Sequence, residues 1–441
     1  MAVERLPVGL ALQGGGSHGA FGWGVLEALL ESEALDIRAI SGTSAGAVNA
    51  FILGAGWAEG GRQGAIAALA AFWKAVAETQ ASLTFGLFDP TRLGLPPGDA
   101  SLDANPLYVM AGLAGQFLSP YQVPGATRHP LELVFECDAR FSGLHALDAE
   151  ALAKAGGPSI HVTATDVVTG EAEVFGETAV TRTQVLASAC LPSMSRAVHD
   201  GGRFFWDGGY SANPSLKPLM RADGVRDLLV VQVNPRDRAA EPWTAREIIN
   251  RINEISFNSS LLWQTRGIER LNDAWIAVDA LLEALASEPS VDAATRRRIL
   301  SRVAAELRLH VAARERLARR MGRTPLSLLL PESLIEALAK AVPAAAGLDT
   351  THLRPIAVHM IDADAPGDRG IERYTASSKL NASTWFLEEL RKLGRKRAEA
   401  WLAETLPLIR ESRSRGEHLS TFWHESRDRR RRRGGGPRAR R

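Results

Sequence analysis

The sequence predicts an α/β fold, with a mainly parallel sheet covered by helices and a mostly helical second half. Three observations predict it. Short apolar runs alternate with stretches of helical spacing twice within the first 60 residues, which is the pattern of strand–helix units in a parallel sheet. Each of the first two runs ends in a turn of small residues, "GGGSHG" and "SGTSAG". From about Thr244 the chain turns charged and helix-prone, with apolar residues at helical spacing.

The elements follow in order. "PVGLALQ" (7–13) reads as a short buried strand, and Phe21, Val25, Leu26, Leu29 and Leu30 mark the helix after it. "DIRAIS" is a second strand, with Asp36 at its very start, and "SAGAVNAFILGAGW" a second helix, apolar nearly all round and so buried. Residues 80–130 carry Gly and Pro throughout and read as a long loop region with short helices, able to form a flap over a site. "LELVFE" (131–136), "SIHVTATDV" (159–167), "AEVF" (172–175), the aromatic run before Asp207 and "LLVVQVN" (228–234) read as strands. Residues 244–340 read as helical, "VPAAAG" (Val342–Gly347) as a hinge, "RPIAVHMID" (354–362) as one more strand, and "STWFLEELRKLGRKRAEAWLAETL" as a closing amphipathic helix. The expected divisions are a catalytic domain over 5–235, a helical extension over 236–350, a strand-and-helix region over 351–426 and an Arg-rich disordered tail over 427–441.

Composition narrows the function classes. The 441 residues are 45% apolar and 23% charged, an ordinary globular balance. The net charge of +2 hides a tail, Arg427–Arg441, with nine Arg and one Asp. That tail contributes +8, so the rest of the chain carries −6 and gives no reason to expect specific nucleic-acid binding. The two cysteines, Cys137 and Cys190, make no disulfide framework, and no Cys/His cluster has zinc spacing. No metal or cofactor is called for. No stretch reaches the roughly 20 apolar residues of a membrane span and no secretory signal is visible, so the expected location is cytoplasmic, with peripheral contact at a membrane or lipid surface.

Three motifs carry the chemistry. "GTSAG", Gly42 to Gly46, fits G-x-S-x-G and places Ser44 on a sharp strand-to-helix turn, where only small neighbours fit. The helix that follows points its positive end at the same place. "GGGSHG", Gly14 to Gly19, leaves backbone N–H groups uncovered, a nest for an anion. It also satisfies G-x-G-x-x-G, but a dinucleotide site wants an acidic residue closing the second strand, and that strand ends in "SGTSAG". An oxyanion hole beside the serine is the better reading. "RFFWDGGYSANP" sets Asp207 before two glycines, where a partly buried carboxylate can take a proton from the serine directly. An ordinary Asp-Gly turn is the alternative for that motif alone.

Taken together, the glycine-rich loop, G-x-S-x-G and Asp207-Gly208-Gly209, with "ASACLPSMSRAV" ahead of the last, resemble the patatin-like phospholipase family over residues 7–235. The resemblance implies a patatin-like three-layer α/β/α fold and an acyl hydrolase with a Ser-Asp dyad. Ser44 is then the nucleophile, Asp207 the proton acceptor, and Gly14, Gly15, Gly16 and the N–H of Ala45 the oxyanion hole. A lipid or other acyl ester is the implied substrate, with transient membrane-surface contact. "RINEISFNSSLLW" and "SSKLNASTWFLEELRKLG" are similar to an extension of bacterial members. His18 stands where the family usually carries Arg or Lys. It reads as a structural or site-lining residue, and a neutral imidazole helps an anion less than a fixed cation would.

Two other readings compete. A Ser-His-Asp α/β-hydrolase needs a histidine after Asp207, yet His310, His352, His359, His418 and His424 all lack a Gly-rich loop after a strand. A non-catalytic lipid-binding or scaffold protein on the same fold would have no need for all three motifs intact.

Overall fold

In the computed structural model, the described residues are 5–83, 100–103, 105, 108, 110, 118–123, 128–238, 241–287, 355–364, 370–415 and 419–421, with backbone alone for 273–287. The strands are β1 (Leu6–Leu12), β2 (Leu35–Thr43), β3 (Ser159–Asp166), β4 (Ala172–Phe175), β5 (Val198–Asp200), β6 (Arg203–Asp207), β7 (Asp227–Gln232) and β8 (Ala357–Asp362). The helices are α1 (Gly19–Ser32), α2 (Ala45–Leu83), α3 (Pro130–Cys137), α4 (Ala139–Ser142), α5 (Ala149–Lys154), α6 (Arg182–Ser188), α7 (Lys217–Arg221), α8 (Ala245–Ser287) and α9 (Thr384–Ser414). The sheet runs β5-β6-β3-β2-β1-β7-β8, with β4 also paired to β3, in a three-layer α/β/α arrangement.

The centre of the sheet is parallel and one flank is antiparallel. β1 pairs in parallel with β2 and β7, and β2 with β3, while β4 and β6 run antiparallel to β3. Leu12 lies opposite Gly42, so the turns after β1 and β2 leave the sheet side by side. Fully buried Leu10, Leu12, Phe21, Leu26, Ile40, Phe51 and Phe72 build the core between sheet and helices. Truncating one such Phe to Ala costs about 3–5 kcal/mol. α1 lies against α9 with the backbones nearly touching. A Cβ on Gly24 would meet the Arg391 carbonyl oxygen at 1.9 Å, and one on Gly394 the Phe21 carbonyl oxygen at 2.0 Å. Arg391 pairs with the buried Glu27 of α1 at 3.0 Å.

Several expectations change. "LELVFE" is helix, not strand: the His129 ring accepts the Leu131 N–H at 3.2 Å as a cap, and Pro130 supplies a pre-set φ in the first turn. Leu131, Val134 and Phe135 then share one face, and Phe135 packs on Phe51 and Phe72. The second helix runs far beyond Trp57, to Leu83, through a break at Gly60 and Gly61. Asp36 lies inside β2 near its start, at the opposite end from the turn, and pairs with Arg38. The closing helix continues past Pro407 to Ser414; Ala403, whose carbonyl the proline leaves unpaired, is exposed to water. Most of the expected 80–130 flap, the hinge Val342–Gly347 and the tail 427–441 lie outside the described residues.

Residues to Leu261 and from Val358 onward make one compact unit, and Leu262–Ala357 another. Within the second, Asn272 brackets Ile356, accepting its N–H at 3.0 Å and donating to its carbonyl at 2.8 Å. No described helix is long and apolar enough to cross a membrane.

Candidate active site

Ser44 sits between the end of β2 and the first residue of α2 at φ +54°, left-handed backbone that a residue with a Cβ rarely adopts. The turn holds because its surroundings leave no alternative. A Cβ on Gly46 would lie 2.1 Å from the Leu12 carbonyl oxygen, so β1 and the start of α2 are in backbone contact. The Ser44 N–H donates to Ser188 Oγ at 2.9 Å, and that hydroxyl donates to the Thr163 carbonyl at 2.6 Å. Ser44 itself is 8% exposed.

Asp207 arrives from the other side of β3. Thr43 is in register with Thr163, and Ala164, the next residue along β3, with Asp207. The carboxylate is fully buried. Its Oδ1 accepts the Gly209 N–H at 2.7 Å, while Oδ2 has no partner at full hydrogen-bond geometry. Burial drives its pKa up to about 6, and the hydrogen-bonding influence of the Ser44 hydroxyl, the Gly209 N–H and the charge of Lys379 hold it from rising further. The structure thus brings Ser44 and Asp207 together. Cys190, whose carbonyl accepts the Asp207 N–H at 2.7 Å, is held as a thiol with its pKa pushed to about 11 by burial.

The glycine loop lies directly on the serine. A Cβ at Gly14 would be 2.6 Å from the Ser44 Cβ. Gly14 departs from its expected role, however. Its N–H donates to Asn213 Oδ1 at 2.7 Å, so it is not free for an oxyanion. For the N–H groups of Gly15, Gly16 and Ala45 no acceptor is found among the described residues. His18 is buried beside the loop. Burial, then the nearby Lys379 charge, push its pKa down to about 3, so it stays neutral across the ordinary imidazole range. Its Nε2 is 2.7 Å from Ser378 Oγ, and its ring meets Phe386 edge-on.

A buried amide network that the sequence did not reveal supports the loop. Gln13 Oε1 accepts the N–H groups of Val233 and Asn234 at 2.9 and 2.8 Å, and Asn234 Nδ2 donates to the Gly14 carbonyl at 2.8 Å. Gln13 Nε2 reaches Asn258 of α8 at 2.8 Å. Lys379, part-buried, donates to Asn234 and Asn253, each at 2.8 Å. A signal was present for each: polar side chains inside apolar or helical segments rarely lie buried unless paired. Nothing in the sequence said what they pair with.

Among the described residues, no histidine hydrogen-bonds Ser44 or Asp207. His359 instead lies 2.9 Å from Asp227 at the start of β7, and His129 Nε2 lies 3.1 Å from the Ala189 carbonyl. No described cluster of three His, Cys, Asp or Glu side chains is spaced for a metal.

A mixed α/β sheet with a serine in left-handed backbone at a strand–helix elbow, a glycine loop beside it and a buried carboxylate from across β3 places the chain among α/β proteins. Residues 10–220 match the family described as patatin-like phospholipase, a match that supports a lipid hydrolase. No curated protein is a match. Among solved structures, VipD from Legionella pneumophila is similar at 17% identity and a TM-score of 0.29, covering 64% of this chain and 56% of its own. Human GIVD cytosolic phospholipase A2, solved with methyl gamma-linolenyl fluorophosphonate, is similar at 17% identity and a TM-score of 0.27, covering 52% and 40%. This chain spans little more than half of the first and two fifths of the second, and likenesses this distant carry no argument.

Proposed function

We propose that this protein is a serine acyl hydrolase acting on lipid esters, with Ser44 as nucleophile and Asp207 as proton acceptor. The observation that carries the reading is the pairing of a serine in left-handed backbone with a buried carboxylate that has one oxygen unpartnered. Above about pH 6 that carboxylate is ionised and able to accept the Ser44 proton.

Ser44 Oγ attacks the ester carbonyl carbon as its proton passes to Asp207. The tetrahedral oxyanion is taken by the N–H groups of Gly15, Gly16 and Ala45, at the N-terminus of α2. Asp207 returns the proton to the departing alkoxide, the C–O bond breaks, and an acyl ester remains on Ser44. Water attacks that ester with Asp207 again accepting a proton, the acid leaves, and Ser44 recovers its hydrogen. A lipid substrate brings the enzyme into at least transient contact with a lipid surface.

The test is labelling and turnover together. A fluorophosphonate probe labels wild type at Ser44 and leaves Ser44→Ala unlabelled, and only wild type hydrolyses a chromogenic short-chain ester. Equal labelling, or equal turnover, of the two proteins overturns the proposal.

A further inference from the structure

The 3-10 turn Ala376–Leu380 lies outside the stretch that matches the family, yet it touches the glycine loop at several points. Gly16, at φ +58°, rests on the Lys379 carbonyl, which a Cβ there would meet at 2.4 Å. Ser378 holds His18. The Lys379 side chain then turns beneath the loop. Its ammonium lies 5.2 Å from the centre of the Phe257 ring and donates to Asn253 and to Asn234 Oδ1. The same Asn234 amide donates through Nδ2 to the Gly14 carbonyl. That carbonyl and the Gly15 N–H belong to one peptide group. A hydrogen bond to its oxygen draws electron density from its nitrogen and makes the N–H a stronger donor.

We infer that Lys379 is a positioning residue for the proposed hydrolysis: its ammonium, acting through Asn234, orients and polarises the Gly14–Gly15 peptide so that the Gly15 N–H receives the oxyanion. The inference rests on the reading given under Proposed function. Lys379 is built to be charged in part and not always. Burial lowers its pKa to about 8; Glu254 and Asp207 oppose that fall, and Arg238, itself paired with Glu254, adds to it. The neutral His18 and the Tyr374 phenol line the same pocket beside it. The cation is therefore present below about pH 8 and lost above it. Its charge also favours the ionised form of Asp207.

The experiment is the pH profile of short-chain ester hydrolysis for wild type, Lys379→Met and Asn234→Ala, with Ser44→Ala as the blank. Wild-type kcat falls as pH rises through about 8. Lys379→Met loses that alkaline limb, its acid limb moves to higher pH, and its plateau kcat drops by about tenfold with KM little changed, less than the loss of a whole oxyanion donor. In Asn234→Ala the relay is cut, so the alkaline limb weakens although Lys379 remains. The double variant loses less than the product of the two single losses. If Lys379→Met does not fold, the Asn234→Ala limb alone decides. An active wild type whose alkaline limb is absent, or survives in the variants, overturns this inference and leaves the proposed hydrolysis standing. A wild type that neither labels at Ser44 nor turns over overturns both.

Discussion

Asn213 Oδ1 accepts the Gly14 N–H at 2.7 Å, which removes from the proposed oxyanion donors the first glycine of the loop and makes it a fixed point instead. Asn213 is held in turn by α8, its backbone N–H donating to Ser260 Oγ at 3.1 Å and its Nδ2 to the Phe257 carbonyl at 3.2 Å. Asn213→Ala leaves a buried N–H without a partner. It is expected to lower stability by about 1–3 kcal/mol in a denaturant titration. It should also reduce kcat more than it raises KM, because in the proposed mechanism the loop it anchors faces the reacting carbonyl and not the remote part of a substrate. Unchanged kcat would show that the Gly14 anchor is not needed.

Asp207→Asn should separate activity from stability. As the proposed proton acceptor, Asp207 is expected to contribute on the order of 10²–10⁴-fold in rate. The sign of the stability effect is opposite. The folded pKa, about 6, lies above the ordinary 3.8, so the folded state binds more protons between those values. Stability is then lost as pH rises through that window, and at pH 7 the buried carboxylate costs about 3 kcal/mol. Asp207→Asn should therefore melt higher than wild type at pH 7 and no higher at pH 3. A lower melting temperature at pH 7 would contradict this.

The same pKa sets the acid limb of wild-type activity. Turnover of a neutral ester, kcat/KM, should rise with pH through about 6, where Asp207 loses its proton. Turnover flat from pH 4 to pH 7 would rule out Asp207 as the base.

His18 should be silent in the activity profile between pH 5.5 and 8, since it is neutral throughout that range. The preference between anionic phospholipid and neutral acylglycerol should not change with pH on its account, and His18→Gln should leave that insensitivity intact. Its signature lies in stability. The folded pKa, about 3, is below the ordinary 6.5, so the unfolded state binds the proton first and stability is lost as pH falls below 6.5. His18→Gln should spare about 2 kcal/mol of the wild-type loss between pH 8 and pH 5, read from denaturant midpoints at the two values. Parallel losses in both proteins would refute it.

Gly46→Ala tests the elbow without touching Ser44. The new Cβ would lie 2.1 Å from the Leu12 carbonyl oxygen, which is backbone and cannot swing aside. The expected result is a loss of stability of about 1–3 kcal/mol or more together with loss of fluorophosphonate labelling. Normal labelling would mean that the turn tolerates displacement of α2 from β1.

What the sequence by itself determined was local. Strand, small-residue turn and helix are written in consecutive residues around Ser44, because a left-handed turn in backbone contact with its neighbours admits only small residues beside it. The same holds for Gly14 to Gly19 after β1 and for the aromatic strand that delivers Asp207. "LELVFE" reads as a strand because six residues fit two periods, whereas the His129 cap, Pro130 in the first turn and packing against Phe51 and Phe72 make it helix. The tertiary structure alone decided how far each motif is used. Asn213 takes the Gly14 N–H from 199 residues away, and Ser378 meets His18 from 360. Lys379 reaches the glycine loop through Asn234, 145 residues before it. Burial moved the pKa values of His18, Asp207 and Lys379, and burial belongs to the folded chain as a whole. Local spacing records which side chains a turn can accept; which donors remain free, and which charges survive, depends on what the rest of the chain brings against that turn.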